Sequence, residues 1–305
     1  MSEKNKRLLI SGASGLIGSA MRQAVKERAT DVTTLVRRHK QVVGGTIYWN
    51  PSKPDTAIHP MGLEGFDVVI HMGGASVARR WTEKYKREIV ISRVGSTKAL
   101  SDALAQVHRP PRVLICASAI GIYGDRGGEA LTEASVPGTG FLAETCVAWE
   151  KAADKARAAG IRVVHARFGV VLSRKGGALK KMLPAFRAGL GGKLGSGRQW
   201  MSWISMRDTV RALLFLMEHD DLAGPFNLTA PQPVTNADFT RSLGAALHRP
   251  AWLGMPAAGL RVAFGGSMAN ETLLSSARVQ PKRLEEAGFH FEDEELGPAL
   301  RALLG

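Results

Sequence analysis

Three sets of residues in this chain have the types and spacing to do chemistry. The first is Gly12, Gly15 and Gly18 in "SGASGLIGSA". They stand between an apolar run and a stretch where Ile17, Ala20, Met21, Ala24 and Val25 recur on one helical face. A strand that turns straight into a helix must bend tightly, bring its amides close to a ligand and pack helix against strand. Each demand removes a Cβ. The helix start then offers unpaired N–H groups and a partial positive charge to a pyrophosphate, so Gly12, Ser14, Gly15, Leu16, Ile17 and Gly18 are the expected cradle of a dinucleotide. The second set is Arg37 and Arg38, at the end of the next strand-like run. An acidic residue there would hold a free ribose 2′-hydroxyl, whereas two guanidinium groups fit a 2′-phosphate. NADP is therefore expected over NAD. Gly73, Gly74 and Ala75 in "HMGGAS" suit either the close approach of an adenosine ribose or a simple turn. The third set is the hydroxyls and thiol that could move a proton: Ser118, Tyr123 and Cys146.

The elements that must position these groups follow from periodicity. "RLLISG", "DVTTLVRR", "FDVVIHMGGA", "RVLICASAIGIYG" and "RVVHARFGVVLS" read as strands. Helical patterns follow the first, span 83–106 and run over 141–159 to Gly160. Strands alternating with helices predict an α/β fold, a Rossmann-type doubly wound parallel sheet. After Ser173 the chain becomes glycine-rich and then helical. The expected division is an NADP-binding domain over 1–173 and a smaller C-terminal substrate lobe over 174–305, with a strand near 226–229 returning to the first sheet. His71, inside an apolar run, reads as a core histidine.

Composition narrows the class. Of 305 residues, 41 are basic and 27 acidic, a net charge of +14. The charges are spread, with no basic tail, zinc-finger spacing or RNA-binding motif, so no nucleic-acid partner is expected. No apolar run reaches the roughly 20 residues a bilayer requires, the charged N-terminus lacks the pattern of a signal peptide, and neither a membrane partner nor a metal site is expected. Two cysteines, Cys116 and Cys146, give no disulfide framework, which points to a cytoplasmic protein.

The motifs "GASGLIGSA", "HMGGASVARRWTEKYKREIVISRVGSTKAL", "SAIGIYGDRG", "LTEASVPGTGFLAETCVAWEKAA", "RFGVVLS", "GLGGKLGSGRQWMSWI", "GPFNLTAPQPVTNADFT" and "QPKRLEEAGFHF" are distributed over essentially the whole chain. In them it resembles an extended short-chain dehydrogenase/reductase, most closely the atypical, YfcH-type epimerase family proteins of the NAD-dependent epimerase/dehydratase group. The resemblance implies a Ser or Thr with a Tyr and a Lys four apart on one helix, where the Lys lowers the Tyr pKa for proton exchange. Ser118 matches the hydroxyl. Glu150 matches a Glu that often follows the Lys by four, which puts Cys146 at the Lys and Leu142 at the Tyr. Placing Cys146 at the Tyr instead puts Glu150 at the Lys. Neither register restores the pair, so the proton would come from Tyr123, Cys146 or water. By the same resemblance, Arg167 and Phe168 fall where relatives contact nicotinamide or substrate. Trp200 and Trp203 line either a substrate cleft or a hydrophobic domain seam. The resemblance implies a small-molecule substrate, of which a nucleotide sugar is one class, and a monomer or homodimer. Two functions stay open: an NADP-dependent oxidoreductase or epimerase, or a catalytically silent NADP(H)-binding regulator, since names in the group include cell-division inhibitor.

Overall fold

The computed structural model describes residues 6–26, 31–51 and 58–305; the charged stretch before Lys6 lies outside them. Thirteen strands are described: β1 (Arg7–Ser11), β2 (Asp31–Val36), β3 (Thr46–Tyr48), β4 (Val68–His71), β5 (Val113–Ala119), β6 (Ala130–Leu131), β7 (Arg162–Phe168), β8 (Val170–Leu172), β9 (Trp200–Met201), β10 (Trp203–Ser205), β11 (Gly224–Leu228), β12 (Val234–Thr235) and β13 (Arg278–Val279). The helices are α1 (Leu16–Lys26), α2 (Glu83–Val90), α3 (Ser96–Leu104), α4 (Phe141–Lys151), α5 (Asp154–Ala158), α6 (Gly177–Arg187), α7 (Met206–Glu218), α8 (Asn236–Ala246), α9 (Ala257–Phe264), α10 (Gly266–Met268), α11 (Lys282–Glu286) and α12 (Leu296–Leu304).

Seven strands form one parallel sheet in the order β3-β2-β1-β4-β5-β7-β11. This is the expected Rossmann-like α/β sheet. Alternation along each strand splits its apolar residues between two faces. Leu8, Ile10, Val68, Ile70, Ile115 and Val164 face α1 and α7, where they meet Met21, Val25, Leu213 and Leu216. Leu9, Val69, Leu114 and Val163 face the other way, onto Leu100, Leu104 and Ala156 of α3 and α5. A third cluster lies mostly in the C-terminal part of the chain, where Leu179, Leu183 and Phe186 of α6 pack with Phe239, Leu243 and Leu300.

The strand order reverses between β1 and β4, the place where an open parallel sheet leaves a crevice beyond its strand ends. The glycine loop follows β1 and the "GGA" loop follows β4, so both open into that crevice. The helix expected over 83–106 is one run with a π turn, Ile91–Gly95, between α2 and α3. The helix expected over 141–159 breaks after α4, resumes as α5, and stops where Gly160 takes a φ of +84°.

Candidate functional site

Gly12 shows why the first loop is bare. Its φ is +71°, and a Cβ there would lie 2.6 Å from the Met72 carbonyl oxygen. A Cβ on Gly18 would collide with the carbonyl of Gly12, and one on Gly15 would lie 3.1 Å from the same oxygen. The loop is thus pressed between the end of β4 and the first turn of α1, with Gly15 N donating to Gly12 O at 2.9 Å. Ser14 and Gly15 are exposed at its tip, Leu16 leans on the backbone of Gly176 and Gly177, and Ile17 packs into the core beneath. No acidic residue lies in the first turn of α1 to compete for its free amides. These features fit a pyrophosphate cradle.

Arg37 and Arg38 follow β2 directly and are exposed. Neither forms an ion pair or side-chain hydrogen bond among the described residues. Across the crevice, Ala75 N donates to Ser92 Oγ at 2.9 Å. A Cβ on Gly74 would lie 3.3 Å from the Arg93 guanidinium carbon, whereas one on Gly73 would meet only ordinary contacts.

Beneath the crevice runs a polar chain. Ser11 Oγ donates to His71 Nδ1 at 2.5 Å. His71 Nε2 lies 3.1 Å from Ser96 Oγ, which itself donates to the Ser92 carbonyl, so the His71 proton sits on Nε2. Burial lowers the His71 pKa to about 4. This neutral imidazole ties β1, β4 and α3 together as a core residue.

A second buried network occupies the expected catalytic half. Ser118 Oγ donates to Glu150 Oε1 at 2.7 Å. Arg167 grips the same carboxylate with two hydrogen bonds of 2.8 and 2.9 Å and donates through its third nitrogen to Tyr123 Oη at 2.9 Å. Tyr123 in turn donates to Asn227 Oδ1 at 2.7 Å, and Asn227 Nδ2 reaches the Gln280 carbonyl. Burial opposes the charge on Glu150, but the paired guanidinium more than offsets it and holds the carboxyl below its usual range.

This network corrects several sequence expectations. Arg167 is only 7% exposed and its donors are spent on Glu150 and Tyr123, so it braces the site from within rather than reaching for a ligand. Phe168 packs against the main core. Tyr123 is fully buried, its hydroxyl hydrogen is committed to Asn227, and desolvation raises its pKa. It cannot exchange a proton with a ligand in this arrangement. Burial pushes the Cys146 thiol up to about 12, which leaves it protonated and inert. Trp203 is a core residue with no exposure, its indole nitrogen bonded to the Gln232 carbonyl, so it does not line a cleft. Trp200 stays half-buried, with the Arg278 guanidinium 4.6 Å above its ring. Leu142 packs in an apolar cluster with Trp81, Phe141, Met268 and Leu273.

The residue missed from the sequence is Arg93. Its guanidinium sits over the Trp149 indole at 5.1 Å and beside both Gly74 and Cys146. It makes one long hydrogen bond, 3.4 Å to the Ile89 carbonyl, and no ion pair among the described residues. Burial pushes its pKa down from the ordinary value. A desolvated cation without a counter-charge among the described residues thus faces the loop after β4, beside Cys146. The signal in the sequence was the run "ISRVGS", where a π turn rotates Arg93 off the regular helical phase. No cluster of metal-binding side chains and no helix able to cross a membrane exists among the described residues.

The family model "NAD dependent epimerase/dehydratase family" matches residues 8–228, and a "Domain of unknown function (DUF1731)" matches 255–303. An epimerase family protein of Mycobacterium bovis is 44% identical over 297 residues, 97% of each chain. The crystal structure of a human epimerase family protein with NADPH superposes with a TM-score of 0.88 at 31% identity, covering 98% of this chain and 99% of that one. A nucleoside-diphosphate sugar epimerase from Corynebacterium glutamicum gives 0.80 at 34% identity, covering 99% of this chain and 59% of the other.

Two outcomes follow from the site. Glu150→Ala leaves the Arg167 guanidinium buried without its anion and should cost about 3–5 kcal/mol in denaturant unfolding, far above an exposed pair. The second outcome concerns acid. The folded pKa of His71, about 4, lies below the unfolded 6.5, so the unfolded chain takes up the proton first. Stability present above pH 6.5 is therefore lost as pH falls from 6.5 towards 4, and His165, also near 4, adds to the slope. Unfolding free energies measured across that range should show the slope, and His71→Gln should flatten it.

Proposed function

The chain belongs to the NAD-dependent epimerase/dehydratase family, and from that membership we propose that it is an NADP(H)-dependent oxidoreductase or epimerase whose active site lacks the Tyr/Lys pair. The observation that carries the reading is the pair of unpartnered guanidinium groups, Arg37 and Arg38, standing at the end of β2 beside a loop with no room for a Cβ. The human relative crystallised with NADPH supports the same coenzyme. The bound coenzyme would supply hydride transfer to or from a hydroxyl- or carbonyl-bearing small molecule.

The chain's own residues would then have these tasks. Amides of 14–18 hold the pyrophosphate, Arg37 and Arg38 hold the 2′-phosphate, and the 73–75 loop lies against the ribose. Arg93 supplies the positive charge absent from the Lys position. Ser118 is only 2% exposed and gives its hydrogen to Glu150, so its lone pairs accept a hydrogen bond from a substrate hydroxyl only where the packing above it opens. Arg167 keeps Glu150 ionised and so keeps Ser118 turned that way. With Tyr123 and Cys146 withdrawn, the proton passes to water. The sugar-nucleotide epimerase from Corynebacterium glutamicum favours a substrate of that class.

The packing of Leu142 favours a second reading. Where the family's Tyr would stand, an apolar cluster fills the space, as suits a coenzyme-binding regulator that has lost its chemistry.

Replacing Arg37 and Arg38 with Ser should weaken NADPH binding roughly tenfold or more, the loss of charge-assisted phosphate contacts, while NADH affinity stays level. Equal weakening of both contradicts the assignment. To separate the two readings, NADPH absorbance is followed against a panel of hydroxyl and carbonyl compounds, sugar nucleotides included. Turnover of any of them supports the enzyme. Saturable NADPH binding with no turnover, joined to a coenzyme-dependent change in a protein partner's affinity, supports the regulator.

A further inference from the structure

Six of the twelve exposed large apolar side chains among the described residues gather on one part of the C-terminal lobe: Leu190, Trp252, Leu253, Met255, Val262 and Phe264. Trp252 is 78% exposed and Val262 79%. The segments that carry them are joined. Leu253 N donates to the Gly191 carbonyl, Met255 N to that of Lys193, and Gly195 N returns a bond to Met255 O. Helix α9 follows directly after Pro256 and anchors itself by the buried Leu260, leaving Val262 and Phe264 outside.

The charge around these side chains has one sign. The stretches 174–207 and 239–270 contain no Asp or Glu. Arg187, Lys193, Arg249 and Arg261 are exposed within them, and none forms an ion pair among the described residues. Arg261 only meets the Asn270 side-chain oxygen. A second copy of the chain is a poor occupant, because a two-fold contact would set this cationic surface against itself. Nucleic acid would leave the aliphatic side chains Leu190, Leu253, Met255 and Val262 without stacking partners. Trp and aliphatic tips ringed by unpaired Arg and Lys match the interface of an anionic bilayer, where headgroup phosphates meet the cations and the apolar tips leave water.

We propose that the surface formed by 187–193, 249–255 and α9 docks peripherally on an anionic phospholipid membrane, with Trp252, Leu253 and Val262 entering the headgroup region. No spanning helix is needed for such contact.

Trp252 also reports on the contact. Trp49, Trp81, Trp149 and Trp203 are buried and Trp200 is half-buried, so Trp252 is the exposed indole. The full-length protein is titrated with vesicles of phosphatidylcholine, with and without phosphatidylglycerol, while sedimentation and indole emission are followed. The expected result is partition to the anionic vesicles alone, weakening with added salt, with a blue shift and quenching by brominated acyl chains. Trp252→Ser should remove the shift and the quenching. The double variant Arg249→Glu, Arg261→Glu should lower partition roughly tenfold or more, two cations being reversed. Both changes lie on exposed side chains, and an unchanged melting temperature checks that the variants fold. The proposal is overturned if anionic vesicles do not bind, or if they bind with Trp252 unquenched. It is also overturned if the blue shift arises without lipid as the protein self-associates, which would make the surface a contact between copies.

Discussion

The close approach of two carbonyls to Gly12 and Gly18 sets the geometry on which the site depends. Met72 at the end of β4 presses on the glycine loop from one side, and the loop's own Gly12 carbonyl fills the space beside Gly18. A side chain at either position would push α1 away from β1 or the loop away from β4. With the loop seated, the first turn of α1 opens towards the crevice at the strand-order reversal, and Arg37 and Arg38 follow the neighbouring strand β2. The buried Ser11–His71–Ser96 chain ties β1 and β4 to α3 from below, which holds the strand ends under the loop in place.

The other half of the site rests on a buried ion pair. Arg167 on β7 and Glu150 on α4 are brought together where the helix packs beside the sheet, and their contact organises Ser118, Tyr123 and Asn227. Such a pair contributes little net stability, because desolvation consumes most of its Coulomb energy. Its effect here is directional. It fixes which hydroxyl has a free lone pair and which proton is already committed. Ser118 thereby has a defined polarity, and Arg93 stands beside Cys146 from another helix.

The fold was legible because its strands are nearly continuous apolar runs separated by clear helical periods. The glycine loop was legible because backbone demands there exclude every other residue. The catalytic half was less so, for particular reasons. Trp200 and Trp203 read as lining either a substrate cleft or a hydrophobic seam, and three residues of extended chain place them on opposite faces, so that only Trp203 turns into the core. Arg167 read as a ligand contact because nothing in its neighbourhood names Glu150, 17 residues away, as its partner. Arg93 was hidden because a π turn breaks the spacing by which a helix face is recognised. Tyr123 and Cys146 carry the right atoms, and burial alone withdraws them.

The central claim is that the crevice between β1 and β4 holds a phosphorylated dinucleotide. Titration calorimetry of ligand-stripped, folded protein tests it most directly. The account predicts saturable, one-site binding of NADPH or NADP⁺, clearly tighter than that of the coenzymes without the 2′-phosphate. An absence of saturable binding by both phosphorylated forms would contradict it.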